Sequence, residues 1–121
     1  MLSLPLPVRI FLCQHPADMR KSFDGLAQMV REFLGADPLS GHLFVFRSRR
    51  GDRLKLLYWD SDGLAIWYKR LEEGVFRFPT PASDQGGIEI RAADLTMLLD
   101  GVDLSSVKRS KRYRRPVAQP A

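Results

Sequence analysis

Residues 42–79 read HLFVFRSRRGDRLKLLYWDSDGLAIWYKRLEEGVFRFP, and the fold turns on how this stretch is parsed. Three apolar runs, Leu43 to Arg47, Arg53 to Trp59 and Leu64 to Leu71, are separated by Arg49-Arg50-Gly51-Asp52 and Asp60-Ser61-Asp62-Gly63, which are turn sequences. The pattern predicts an antiparallel meander of three strands, with Val75 to Phe78 as a candidate extension. The stretch holds eight of the twelve aromatic residues, interleaved with Arg47, Arg49, Arg50, Arg53, Lys55, Lys69, Arg70 and Arg77. Side chains alternate between faces along a strand, so Leu54, Leu56 and Tyr58 oppose Arg53, Lys55, Leu57 and Trp59, and Leu64, Ile66 and Tyr68 oppose Ala65, Trp67 and Lys69. The expectation is one aliphatic face for packing and one basic, aromatic face for recognition, on which phosphates or bases meet Arg, Lys and Trp. The plainer alternative makes Trp59 and Trp67 a covered cross-strand pair, with the basic heads reaching out to water.

Outward from the meander, Val8 to Cys13 reads as a first strand, ended by His15-Pro16. Met19, Phe23, Leu26, Val30, Phe33 and Leu34 then recur at helical spacing, with Ala27 on the same stripe. Asp18 is the first candidate N-cap, Ser22 the second, and Gly35 the stop. The aliphatic face of the meander is the expected partner of this helix. After the Pro- and Gly-rich stretch of residues 80–87 (TPASDQGG), Ile88 to Ile90 is a short strand, and Ala92 to Asp100 a second helix ending at Gly101. The predicted fold is a small α+β single domain: an antiparallel meander of three to five strands, one main amphipathic helix packed on it, and a short C-terminal helix. The domain is expected over residues 1–104, with residues 105–121 as a disordered basic tail.

Charge is unevenly placed. The 121 residues carry 19 Lys and Arg against 14 Asp and Glu, net +5. Residues 1–107 are close to neutral, and all six charges beyond them are positive: Lys108, Arg109, Lys111, Arg112, Arg114 and Arg115. A block of like charge is a natural arm for nucleic acid. Arg outnumbers Lys, which suits bidentate contact with phosphate. The lone Cys13 excludes an internal disulfide framework and a cysteine-built metal site, so an intracellular, cytoplasmic setting is expected. The apolar N-terminus is interrupted by Pro5 and Pro7 and has no basic leader, so neither a signal peptide nor a membrane span is expected.

Residues for catalysis are sparse. His15 and His42 stand apart beside turn residues and read as structural. Asp60 and Asp62 fall in a tight turn, whereas Glu72 and Glu73 lie at the far end of the next strand, ~26 Å away at strand rise, too far to share one metal. No phosphate-binding glycine loop or nucleophile motif occurs. The residues thus predict no enzyme, no cofactor and no metal.

Three segments together, residues 18–30 (DMRKSFDGLAQMV), 37–79 (DPLSG followed by the meander) and 92–104 (AADLTMLLDGVDL), resemble the small accessory protein of bacterial insertion sequences of the IS66 group, labelled TnpB or Orf2-like. That family shares only a label with the RNA-guided nucleases of the same name. The resemblance spans roughly Val8 to Leu104 and implies a non-catalytic helper of DNA transposition, encoded beside a separate transposase. The matching positions include Asp18, Arg20, Gly25, Arg47, Arg53, Lys55, Trp67 and Arg70, with no catalytic residue among them. Two functions stay open. One is a DNA-binding module holding transposon ends or non-specific duplex through Arg47, Arg49, Arg50, Arg53, Lys55, Lys69, Arg70 and the tail. The other is a protein-interaction adaptor whose aromatic surface, with Trp59 and Trp67, docks on the transposase.

Overall fold

The computed structural model describes residues 8–79 and 86–101. The expected loop before residue 86 lies largely outside these, and the expected tail entirely so. Five strands form one mixed sheet: β1 (Ile10–Cys13), β2 (Leu43–Arg47), β3 (Arg53–Asp60), β4 (Gly63–Arg70) and β5 (Gly87–Ile90). Two helices, α1 (Phe23–Leu34) and α2 (Ala92–Leu99), complete it. The spatial order is β4-β3-β2-β1-β5. The meander β2-β3-β4 is antiparallel, but β1 lies parallel to β2, Ile10 facing Leu43, and β5 runs antiparallel to β1. The sheet is therefore mixed rather than a pure meander, because the α1 crossover brings β2 back alongside β1 in the same direction.

The sheet has a core on each face, and the second half of β4, Trp67 to Arg70, is left exposed. Ile10, Leu12, Leu43, Val45, Leu54 and Leu56 pack with Leu95 and Leu98 of α2 and with Phe76 and Phe78. Cys13, Phe44, Phe46 and Leu57 pack with Leu26, Ala27, Met29 and Val30 of α1. This corrects the expected partnering. The main helix covers the face that carries Lys55 and Leu57, while the aliphatic Leu54 and Leu56 lie under α2. Alternation along β3 puts apolar residues on both faces, Leu54 and Leu56 on one and Leu57 and Trp59 on the other, so it does not mark which face takes the larger helix.

Helix α1 starts at Ser22, the second of the two candidate caps, and ends at Gly35 in the left-handed conformation with φ 57°. Asp18 instead closes the preceding turn, accepting from the Arg20 backbone N–H at 2.9 Å. Starting after Ser22 turns Phe23 outward, 43% exposed, so it is not the core residue its spacing suggested. Val75 to Phe78 is no fourth strand of the meander. Phe76 and Phe78 are buried on the α2 face, and the segment holds the sheet end by one backbone bond, Phe76 N–H to the Gly51 carbonyl at 2.7 Å. Gly86 and Gly87 let β5 pass beneath the end of α1: a Cβ at Gly86 would overlap the Phe33 carbonyl.

Candidate nucleic-acid interface

The turn between β2 and β3 is built rigidly from its own polar groups. Ser48 N–H donates to the Arg53 carbonyl at 2.9 Å, and Gly51 N–H to the Ser48 carbonyl at 2.9 Å. The Ser48 hydroxyl receives the Arg53 N–H at 3.1 Å and lies 3.2 Å from an Asp52 carboxylate oxygen, to which it donates. Gly51 takes φ 82°, which the left-handed turn position requires, and its amide and carbonyl are both engaged. Arg49 and Arg50 are left exposed at the tip.

Two open clefts flank this tip. The first, about 510 Å³, is lined by Pro16, Asp18, Arg20, Arg49, Arg50 and Arg53 among others. The second, about 420 Å³, is lined by Arg47, Arg49, Arg50, Val75, Arg77 and Phe78 among others. The wall of the first is tied to the sheet twice: Ala17 N–H donates to the Arg47 carbonyl at 2.9 Å, and the Lys55 ammonium donates to the carbonyls of Met19 and Lys21 at 2.8 Å each. Asp18 is the acid of this cleft nearest to Arg20. Hydrogen bonds from Arg20 hold its carboxyl well below the usual carboxylate range, so it stays charged and partly offsets the local positive field.

The sequence-predicted site residues divide by this geometry. Arg49, Arg50 and Arg53 converge on the first cleft. Lys55, expected on an open basic surface, is only 7% exposed, with its ammonium spent on the two carbonyls and 4.7 Å from the Tyr68 ring centre. Arg47 is half-buried. Its guanidinium donates to the Phe76 carbonyl at 3.1 Å and lies 4.1 Å from the Phe78 ring centre, and burial, aided by nearby Arg77, lowers its pKa. Both residues fasten the fold rather than face solvent. Arg70 pairs with Glu72 at 3.2 Å and stands beside Arg53 in the ladder. Lys69 is on the opposite face, reaching the Leu99 carbonyl at 3.5 Å. Trp59 and Trp67 are not a cross-strand pair. Trp59 faces Leu64 on the α1 side, whereas Trp67 faces Leu56 on the α2 side, 40% exposed. Lys108, Arg109, Lys111, Arg112, Arg114 and Arg115 lie outside the described residues. Arg20 and Arg77, not among the predicted site residues, also line these clefts, Arg20 the first and Arg77 the second. Each lies far in sequence from the turn, and only the return of residues 16–20 and 75–78 to the turn brings them in.

The two histidines serve the fold: His42 Nδ1 accepts the Arg9 N–H at 3.0 Å, and His15 stacks on Phe33 at 4.0 Å. Among the described residues no group of three His, Cys, Asp or Glu is placed to hold a metal ion. Among them too, no helix is long and apolar enough to cross a membrane.

A family model described as IS66 Orf2 like protein matches residues 8–109, which take in both helices, the whole sheet and both clefts. The chain belongs to this family. The IS66 Orf2-like chain is 39% identical over 113 residues to a Sinorhizobium fredii protein named as uncharacterized protein y4jC, covering 93% of this chain and 91% of that protein. It is 43% identical over 96 residues to uncharacterized protein y4hO of the same organism, covering 79% and 82%. No solved structure matches it.

Proposed function

We propose that this IS66 Orf2-like protein is a non-catalytic accessory factor of transposition that grips the DNA backbone at the β2–β3 turn. The observation that carries the reading is the convergence of Arg20, Arg49, Arg50 and Arg53 on one open cleft, with Arg77 beside the same tip in the next. Guanidinium groups at an open concavity suit phosphate oxygens, which they meet in bidentate fashion. Contacts of this kind hold a duplex in place without reading its sequence. The carboxylates support a passive role. Asp60 and Asp62 stand at one end of the β3–β4 hairpin and Glu72 follows the other, so they do not converge on a reacting phosphate. The basic tail, on charge alone, adds sequence-independent affinity.

Duplex binding by the full chain, measured over a range of salt concentrations, tests the proposal. Arg49→Ala with Arg50→Ala should lower the slope of log affinity against log salt by about 2, since each lost phosphate contact removes about 0.9. An unchanged slope would remove the turn from the interface.

A second reading, an adaptor that docks on the transposase, is favoured by the exposure of Trp67 and Tyr68, 40% and 46%, on β4. Capture of the partner transposase by the parent chain but not by Trp67→Ala would support it.

A further inference from the structure

Strand β4 is an open edge. It spans eight residues, Gly63–Arg70, stands last in the sheet order, and among the described residues no strand pairs with its outer side. The hairpin pairing shows which of its groups face outward. Asp60 opposite Gly63 closes a two-residue turn and is thus a hydrogen-bonded pair, so the odd-numbered residues of β4 bond inward to β3. Leu71 N–H to the Asp52 carbonyl, 2.8 Å, continues the same alternation one step past the strand. The even-numbered Leu64, Ile66, Tyr68 and Arg70 therefore turn their N–H and C=O groups away from the sheet. A row of this kind is a template for another strand.

We infer that this edge pairs with the same edge of a second copy, antiparallel about a two-fold axis at Ile66. Three features of the sequence fit that register. Face and hydrogen-bond parity both agree, since a two-fold perpendicular to the sheet pairs even residues with even ones. Charge agrees at the strand ends: Asp62 of one copy comes opposite Arg70 of the other, which then bridges Asp62 of the partner copy and Glu72 of its own chain, while Asp60 meets Glu72 beyond the paired residues. Shape agrees, because exposed Trp67 comes opposite Ala65, and Tyr68 opposite Leu64, large against small on each face. Shifting the axis to Trp67 sets Trp67 against itself and Arg70 against Leu64, and loses the ion pair. The Asp62 to Arg70 match taken together with the large-against-small fit of Trp67 to Ala65 and Tyr68 to Leu64, both made by the edge with itself, selects a second copy as occupant.

The result is a continuous ten-stranded sheet. Resting on the DNA-gripping reading above, the dimer sets two Arg53 residues about 30 Å apart on one side of that sheet, from strand rise and spacing. That is close to one turn of duplex, about 34 Å, and suits two phosphate contacts on the same face of the DNA.

Sedimentation of the full chain without DNA tests the pairing separately from DNA binding. A concentration-dependent dimer is expected, weakened about tenfold by Asp62→Arg, which turns two attractive pairs repulsive, and restored by Asp62→Arg with Arg70→Asp. Tyr68→Pro removes an outward N–H and no backbone bond to β3, and Tyr68→Phe is the control for the lost Arg53 contact to the hydroxyl, so the proline variant should abolish the dimer while the monomer stays folded. Hydrogen exchange supplies the second readout: with rising concentration the Leu64, Ile66, Tyr68 and Arg70 amides should slow, while Ala65 and Trp67 are protected throughout. A chain that stays monomeric, a dimer indifferent to both charge variants, or slowing of the even amides only when the transposase is added would each overturn the inference.

Discussion

The Lys55 ammonium donates to the Met19 carbonyl at 2.8 Å across 36 residues of sequence, and its second bond, to Lys21, is equally short. One buried cation thereby fixes the turn that precedes α1 and sets the position of Arg20 in the cleft. Lys55→Met keeps the aliphatic stem and strips the charge, leaving two carbonyls without their donor. The loss should be about 1.5–3 kcal/mol, read from the urea midpoint. The salt slope of DNA binding should fall by no more than about 0.9, the share of the single Arg20 contact, since Lys55 itself is buried. A parent-like midpoint would show that the turn stands without the ammonium.

Leu26 is fully buried beneath α1, while Phe23 is 43% exposed at its start. Leu26→Ala should cost on the order of 2–5 kcal/mol through the cavity it leaves. Phe23→Ala should cost under about 1 kcal/mol. Equal costs for the two would mean that α1 packs with a different face.

Arg47 ties the segment that carries Phe76 and Phe78 to the sheet through one carbonyl bond and one ring contact. Arg47→Ala should destabilise by about 1–3 kcal/mol and quicken exchange at the Phe76 amide. Arg47→Lys should recover only part of this, because an ammonium does not lie flat on the Phe78 ring.

Six basic residues follow Val107 with no acid among them. Truncation after Val107 should lower the salt slope of duplex binding by roughly 3 to 5 and weaken all sequences alike. If the truncated chain binds as the parent does, the affinity resides in the folded body.

Cys13 is buried, and desolvation raises its thiol pKa. The unfolded chain then releases the proton first as pH climbs past the free-thiol value, so stability at this site is full below that value and declines above it. In the native state at neutral pH, Cys13 should resist alkylation, and it should react at once in denaturant. Rapid native-state labelling would show that the β1 end opens readily.

The meander could be read from residues 42–79 because Gly51 and the Asp60 to Gly63 turn punctuate three runs of the right length. The main helix was legible from its 3.6-residue stripe, although its N-cap is Ser22 and not Asp18, because the Arg20 amide and side chain together take the Asp18 carboxylate. What local pattern did not reveal was long-range: that β1 joins parallel to β2, that two cores sandwich the sheet, and that Lys55 points under α1 rather than to water. Strand alternation assigns residues to two faces but carries no label saying which face another element will cover. The two clefts were half visible, in Arg49, Arg50 and Arg53. Arg20 reaches the first and Arg77 the second only through backbone bonds, Ala17 to Arg47 and Phe76 to Gly51, that no neighbouring residue announces.

Ile10 pairs with Leu43 on one side and with Ile90 on the other, so the first strand of the sheet is an interior one. Its second neighbour is synthesised some eighty residues later. During translation β1 and β2 can meet early, but the side of β1 that awaits β5 stays open until residue 90 has left the ribosome. Such distant pairings slow folding and leave an interim state with a bare strand edge. The nascent protein is thus most prone to stray association just before its last strand arrives, and a chain released early would carry that exposed edge permanently.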